Sequence, residues 1–178
     1  SLKEKIRTKN IFKILDIGTG GGFPLLPLAI VLADAECHGM DATGKKIQAI
    51  ERMVTSLGLT NVQLHTGRSE DLGHDTSLRE QFDVVTSRAV AEIPVLLEYA
   101  VPFLKVGGCL VLWKSMNIEG ELQSAEHAEK VLLTKLLMRH TYELPEPYGT
   151  RQLLIFQKTA KTDPRYPRPI GVPKKNPL

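Results

Sequence analysis

The chain has 178 residues, the length of one ordinary domain and too short for two well-packed ones. Apolar residues make up 42% and charged residues 24%, which is typical of a soluble globular protein. The two cysteines, Cys37 and Cys109, exclude a disulfide scaffold and a cysteine-rich zinc site, and they fit a reducing compartment. No apolar run approaches the ~20 residues of a membrane span, and the N-terminus lacks the apolar core of a signal peptide, so we expect a cytoplasmic protein.

The net charge is +3, but the basic side chains are concentrated at the two ends of the chain. Residues 1–13 carry five Lys or Arg against one Glu, and residues 158–178 carry six against one Asp. The 144 residues between them hold twelve basic and eighteen acidic side chains. Two interpretations stay open: the basic ends bind a polyanion, or they only keep the protein soluble.

Short apolar runs alternate with helical patterns along most of the chain. Strands are predicted at residues 13–17, 36–40, 61–66, 82–87, 108–114, 140–144 and 152–158. Helices are predicted at residues 23–33, 44–57, 92–104 and 117–138. This alternation predicts an α/β fold with a mostly parallel sheet and helices on both of its faces. The last two strands lie too close together for a crossover, so they form an antiparallel hairpin.

Five further features of the sequence lead to expectations of their own. Residues 163–178 contain five prolines and four basic residues, which predicts an extended surface tail, so we divide the chain into a basic lead-in at 1–12, a domain at 13–158 and a basic Pro-rich tail at 159–178. A long polar connection between Glu70 and Phe82 predicts a mobile loop. Trp113 in the apolar fifth strand is expected in the core, and the acidic helix face at 119–129 is expected in solvent. No metal site is expected, because the five histidines are scattered: His38, His65, His74, His127 and His140.

The most informative local pattern is the segment LDIGTGGGF at residues 15–23. A glycine-rich turn between a strand and a helix lets a ligand approach the backbone, and the helix N-terminus offers free N–H groups. A dinucleotide-binding fingerprint needs glycine at positions 18, 20 and 23, but the third position is Phe23. The negatively charged carboxylate of Asp16 would also repel a pyrophosphate, whereas it would attract a ligand with ammonium and sulfonium charges. The pattern therefore favours S-adenosylmethionine over NAD, with a plain glycine turn as the alternative.

Polar residues also follow the next three strands, where strand ends line the ligand crevice of an open sheet. Asp41 ends the second strand and is suited to the two ribose hydroxyls of a nucleoside, or to capping the next helix. The turn at 67–71 is suited to flanking an adenine, or to capping. Arg88, just past the fourth strand, needs an anion: the methionine carboxylate, a substrate phosphate or Glu92.

Taken together, five segments resemble the RsmG family, also called GidB, of class I methyltransferases. These segments are residues 15–24, 41–46, 67–70, 86–90 and 171–178, and the Gly-Phe-Pro, Ser-Arg-Ala and Pro-Lys-Lys sequences within them are the specific parts. The resemblance covers residues 13–178 and implies a Rossmann-like seven-stranded sheet. It also implies an enzyme that methylates guanine N7 in 16S ribosomal RNA with S-adenosylmethionine, leaving S-adenosylhomocysteine, with ribosomal RNA or the small ribosomal subunit as its partner. Members of the family usually carry a helical N-terminal segment, and here only about a dozen residues precede the first strand.

The residues and the resemblance together define the expected site. Cofactor contacts are expected at Asp16, Gly18, Gly20, Phe23, Asp41, Ala42, Thr43, Ser69, Glu70 and Arg88. Arg88 and Lys114 are expected on the substrate side. Basic side chains expected to bind RNA phosphates are Lys114, Arg165, Arg168, Lys174 and Lys175. No membrane partner is expected, and the sequence does not indicate any protein partner.

The proposed reaction explains why the sequence shows no catalytic dyad. Guanine N7 has an exposed lone pair at neutral pH, so its methylation needs alignment with the methyl–sulfur bond and no general base. Amine-directed enzymes need an Asn/Asp-Pro-Pro-aromatic corner after the fourth strand, and Ser87-Arg-Ala-Val90 is not one. Two alternatives remain: a small-molecule methyltransferase on the same fold, and a nucleotide-dependent oxidoreductase or regulatory module, against which Phe23 argues.

Overall fold

A computed structural model describes residues 11–178, which form one seven-stranded sheet with helices on both faces. The strand order is β3-β2-β1-β4-β5-β7-β6, in which β1 to β5 are parallel and β7 runs antiparallel to β5 and β6. This confirms the predicted α/β fold with its antiparallel C-terminal hairpin. The strands are β1 (Lys13–Ile17), β2 (Glu36–Asp41), β3 (Val62–Thr66), β4 (Phe82–Arg88), β5 (Leu104–Lys114), β6 (Thr134–Glu143) and β7 (Thr150–Lys158).

Alternate residues of each central strand point to opposite faces and build two cores. The helices are α1 (Leu25–Val31), α2 (Gly44–Ser56), α3 (Ser69–Leu72), α4 (Ile93–Ala100), α5 (Glu119–Leu132) and α6 (Val172–Lys175), with a 3-10 helix at Val101–Phe103. Ile14 of β1 packs with helices α1 and α2 on one face. Its neighbour Leu15 belongs to the core on the other face, under α4 and α5. No helix within residues 11–178 is long and apolar enough to cross a membrane.

The region after α5 differs from the prediction. The sequence pattern predicts one helix over 117–138, but the helix ends at Leu132 and β6 begins at Thr134. Leu133 takes a left-handed conformation (φ 55°) that ends the helix. Ladder hydrogen bonds to β7 then draw residues 134–143 into the sheet edge, so tertiary pairing overrides the local helical pattern.

The C-terminal tail is part of the domain, which corrects the prediction of an extended surface segment. Tyr166 belongs to the core, and Leu178 packs against it. Arg79 donates to four main-chain carbonyl oxygens, three of them in the tail, at Gly73, Thr162, Asp163 and Tyr166. The predicted mobile loop therefore holds the tail, and its Leu78 is buried. The predicted lead-in at 1–12 lies outside the described residues except for its last two.

Candidate functional site

The turn that leaves β1 is attached to the end of β2. The N–H groups of Gly18 and Thr19 both donate to the carbonyl oxygen of Met40, at 2.9 and 3.0 Å. Gly18 has φ +68°, and a Cβ atom at this position would stand 2.5 Å from Cγ2 of Val90. Only glycine fits both the left-handed backbone and this approach. The turn therefore brings main-chain atoms to the edge where the parallel strands end.

Asp41, the last residue of β2, is held in a defined orientation by main-chain donors. Its Oδ1 accepts a hydrogen bond from the Thr43 N–H at 2.8 Å, and its Oδ2 accepts one from the Gly20 N–H at 3.2 Å. Lys46 Nζ lies 3.5 Å from the same Oδ2. Oδ1 keeps a further lone pair for a ligand hydroxyl, and a second hydroxyl can take the place of the distant Lys46 ammonium on Oδ2. The predicted alternative, a side-chain cap of α2 by Asp41, does not form, since Thr43 is the N-cap residue.

Asp16 lies beneath the turn and is almost fully buried. Its Oδ1 accepts a hydrogen bond from the Thr86 hydroxyl at 2.8 Å, while its Oδ2 has no partner among the described residues. Burial raises the pKa of this carboxyl from 3.8 to about 6, and the Thr86 hydrogen bond offsets part of that rise. A buried carboxylate oxygen without a donor is costly. The residues present therefore suit a ligand that brings a positively charged donor, such as an amino acid ammonium group.

These elements border a cleft of about 290 Å³ at the carboxyl edge of the sheet. Five predicted cofactor residues line it: Gly18, Asp41, Ala42, Ser69 and Glu70. Tyr99 of α4 also lines the cleft, and the sequence analysis missed it, although a lone polar ring in an apolar helix is a usable signal. Burial, together with the nearby charge of Glu70, raises the pKa of Tyr99 to about 12. The cleft therefore combines two carboxylates, from Asp41 and Glu70, with a neutral phenol.

The other predicted cofactor residues lie outside this cleft. Asp16 is beneath it, and Gly20 and Thr43 act through their N–H groups on Asp41. Phe23 is half-exposed and lines an apolar groove between α1 and α2. The Arg88 guanidinium lies 6.0 Å from the centre of the Phe23 ring.

A second pocket of about 400 Å³ adjoins the cleft, and Ala89 lines both. Arg88 and Lys114, the two residues expected on the substrate side, both line this pocket. Two expectations are wrong here. Trp113 is not in the core, because its side of β5 is only half-buried and the residue lines this pocket. Glu121 does not face solvent, since its carboxylate accepts a hydrogen bond from Lys114 Nζ at 2.6 Å.

The basic residues of the tail divide into exposed side chains and one that pairs with a buried carboxylate. Lys174 and Lys175 are exposed on α6, and Arg165 is exposed beside Asp163. Arg168 instead pairs with the buried Glu98, so its predicted role in RNA binding is replaced by a structural one. The tail contacts the cleft where the Gly171 N–H donates to Oε1 of Glu70 at 3.1 Å.

Two of the histidines expected to be scattered are neighbours on adjacent strands. His38 Nδ1 lies 2.8 Å from His65 Nε2, and His38 Nε2 lies 2.7 Å from Oε1 of Glu36. Burial lowers the pKa of both imidazoles. No cluster of three or more His, Cys, Asp or Glu side chains suited to a metal ion occurs within residues 11–178.

Known proteins match this chain over most of its length. The family model of rRNA small subunit methyltransferase G (GidB) matches residues 1–148. The ribosomal RNA small subunit methyltransferases G of Streptococcus pyogenes serotypes M3 and M49 are each 43% identical over 166 residues, which cover 93% of this chain and 70% of each relative.

Solved structures share the fold at low sequence identity. The antibiotic-resistance methyltransferase Kmr superposes with a TM-score of 0.68 at 14% identity, over 85% of this chain and 88% of its own. TYW2 from M. jannaschii in complex with AdoMet superposes with a TM-score of 0.62 at 16% identity, over 84% and 70%. These structures confirm the predicted Rossmann-like fold, and the family match confirms the predicted enzyme class. The chain belongs to the rRNA small subunit methyltransferase G family.

Proposed function

We propose that the protein transfers a methyl group from S-adenosylmethionine to N7 of a guanine in 16S ribosomal RNA. The observation that carries the proposal is a cleft at the carboxyl ends of the parallel strands that adjoins a second pocket through Ala89. Asp16, on the strand that leads into this cleft, is buried, and its Oδ2 has no partner among residues 11–178. The names of the relatives support the ribosomal RNA substrate. This partner also leads us to propose a cytoplasmic location.

The cleft residues suggest how the methyl donor is held. Asp41 accepts hydrogen bonds from the ribose hydroxyls, because both of its oxygens are already oriented by N–H groups. The main chain at Ser69 and Glu70 lies beside the adenine, and Gly18 lets the ligand approach the first turn. Asp16 accepts a hydrogen bond from the ammonium group. S-adenosylmethionine, when bound, supplies a methyl group on a positively charged sulfur.

The chemical task of the protein is positioning. Guanine N7 attacks without losing a proton, so no residue has to act as a base. The second pocket orients the base toward the cleft, and alignment of this kind can supply ~7–11 kcal/mol of the barrier reduction. Arg88, which lines the second pocket next to the shared residue Ala89, binds an anionic group of the cofactor or the RNA.

The decisive experiment combines donor binding with methyl transfer. Calorimetry measures S-adenosylmethionine and NAD binding to the wild type and to Asp41→Ala, with the exposed Asp34→Ala as the matched control. We expect binding of S-adenosylmethionine only, weakened roughly tenfold or more in Asp41→Ala because charge-assisted hydrogen bonds are lost. Methyl transfer is then assayed on 30S subunits, naked 16S rRNA and protein-free metabolites. NAD binding without S-adenosylmethionine binding, or transfer to metabolites alone, contradicts the proposal.

The exposed lysines of α6 provide a separate test of the RNA contact. We expect Lys174→Ala with Lys175→Ala to weaken RNA binding and to flatten its salt dependence, because fewer counterions are released. Binding of S-adenosylmethionine stays unchanged in this double variant. An unchanged salt slope removes α6 from the RNA contact surface.

A further inference from the structure

Glu121 lines the second pocket, and one of its carboxylate oxygens has no partner among residues 11–178. Its Oε2 accepts two hydrogen bonds, from the Ile93 N–H at 3.0 Å and from Lys114 Nζ at 2.6 Å. Its Oε1 accepts none from residues 11–178, and the side chain is only 26% exposed. A carboxylate held this way is oriented before any ligand arrives.

Lys114 completes a pair of opposite hydrogen-bonding groups. Its ammonium donates to the carbonyl oxygen of Ala91 at 2.9 Å and to Glu121, which leaves one of its three protons free. The side chain is 12% exposed, so it is fixed in place more firmly than a surface lysine. The pocket therefore offers a free acceptor directly beside a free donor.

Among the RNA bases, guanine matches this arrangement best. Its Watson–Crick edge presents two adjacent donors, N1–H and the 2-amino group, followed by the acceptor O6. Adenine presents an acceptor at N1, which a carboxylate repels. N7 follows O6 around the rim of guanine. When O6 of the base contacts Lys114 and its two donors contact Glu121, N7 points away from Glu121. The pocket also adjoins the cofactor cleft, because Ala89 lines both.

We infer that the second pocket binds the target guanine, with Oε1 of Glu121 accepting from both N1–H and the 2-amino group and Lys114 donating to O6. This inference rests on the proposed function and deepens it. Glu121 is a specificity-determining residue that leaves N7 free, and Lys114 both orients Glu121 and contacts the base. The side chains of Trp113 and Tyr142, which also line the pocket, are available to stack on the base.

The experiment uses Trp113, the only tryptophan of the chain, as the reporter. Its fluorescence is titrated with GMP, IMP and AMP in the presence of saturating S-adenosylhomocysteine. IMP lacks only the 2-amino group, so loss of one charge-assisted hydrogen bond should weaken its binding about tenfold or more relative to GMP. AMP should bind more weakly than IMP. Equal affinities for GMP and IMP in the wild type, or no GMP response, overturn the inference without any variant.

A matched pair of variants separates recognition from structural support. In Glu121→Gln the amide oxygen takes the bonds from Ile93 and Lys114, and the amide N–H groups oppose the donors of guanine. We expect GMP affinity to fall about tenfold and the GMP-to-IMP preference to disappear, while affinity for S-adenosylmethionine is kept. Glu119→Gln, on the same helix but exposed and paired with Arg139, should keep the preference. A preference that survives in Glu121→Gln contradicts the assignment.

The failure of this inference can be told apart from failure of the proposed function. If the wild type does not methylate 16S rRNA or 30S subunits but binds GMP more tightly than IMP, the proposed function is rejected and the guanine subsite is kept. Methyl transfer with equal GMP and IMP affinity keeps the function and rejects the subsite.

Discussion

The guanidinium of Arg168 contacts both carboxylate oxygens of Glu98, at 2.6 to 3.1 Å, although the two residues lie 70 positions apart. Glu98 has no exposed surface, and the Arg168 N–H donates to it as well. This ion pair attaches the C-terminal tail to α4, whose Tyr99 lines the cofactor cleft. The basic tail therefore contributes to the stability of the site.

We predict that Arg168→Ala destabilises the protein by about 3 kcal/mol, because it leaves the buried Glu98 carboxylate unpaired. Urea denaturation measures the change in the free energy of unfolding. Arg165→Ala is the matched control, since Arg165 is mostly exposed and pairs only with its neighbour Asp163. A similar decrease in the free energy of unfolding in both variants would contradict the prediction, because removal of any arginine from the tail would then have the same effect.

The first turn allows a second prediction from two nearby glycines. Gly18→Ala should cost about 1–3 kcal/mol of stability because of its positive φ, and it should also lower the affinity for S-adenosylmethionine. Gly21→Ala should fold normally, since nothing lies within 4 Å of an added Cβ and its φ is not positive. Calorimetry and urea denaturation of both variants test the difference. Equal effects at the two positions argue against a special role for the Gly18 backbone.

Asp16 makes donor binding depend on pH. Its pKa is raised to about 6 by burial, and the ionised carboxylate binds an ammonium group more strongly than the protonated carboxyl does. We therefore expect the affinity for S-adenosylmethionine to rise between pH 5 and pH 7, and Asp16→Asn to bind weakly with a flatter profile. Calorimetry between pH 5 and pH 7 measures the affinity profiles of the wild type and of Asp16→Asn. Thr86→Val, which removes the hydroxyl donor to Asp16, is measured in the same way. An unchanged profile in Asp16→Asn shows that another group titrates.

In the ligand-free protein, the Asp16 carboxyl makes the free energy of unfolding fall with rising pH, whereas donor affinity rises. Because its folded pKa lies above the unfolded value of 3.8, Asp16 contributes stability below pH 4 that is lost as the pH rises through about 6. The loss is at most about 3 kcal/mol, since one pKa unit corresponds to 1.36 kcal/mol. Asp16→Asn should lack this decline. Urea denaturation at pH 4 and pH 7.5 compares the two proteins.

The His38–His65 pair predicts a loss of stability in acid. Burial lowers both pKa values below 6.5, so the unfolded chain binds protons that the folded protein does not. The stability present above pH 6.5 should fall as the pH drops below it. His65→Gln should show a shallower fall, because the pair no longer shares the buried space, whereas the exposed His127→Gln should match the wild type. Equal pH slopes for all three proteins would contradict this account.

Local patterns were sufficient to predict the sheet and one side of the site. Period-2 and period-3.6 hydrophobicity indicated β1 to β5 correctly, and the residues at their carboxyl ends included Gly18, Asp41 and Ser69 of the cleft. The local patterns did not predict the start of β6 at the edge of the sheet, because the pattern of residues 134–138 suits either a helix or a strand. Pairing with β7 decides between the two, and pairing is not a local property.

The sequence alone determined the order of the elements and the cofactor edge, because parallel strands must end on the same side and glycines mark the turn there. Only the tertiary structure decided which charged side chains are free to bind ligands. Arg168 pairs with Glu98, 70 positions away, and Glu121 is held at the second pocket by hydrogen bonds from Lys114 and Ile93. Such pairings depend on distances between elements, which hydrophobic periodicity does not encode.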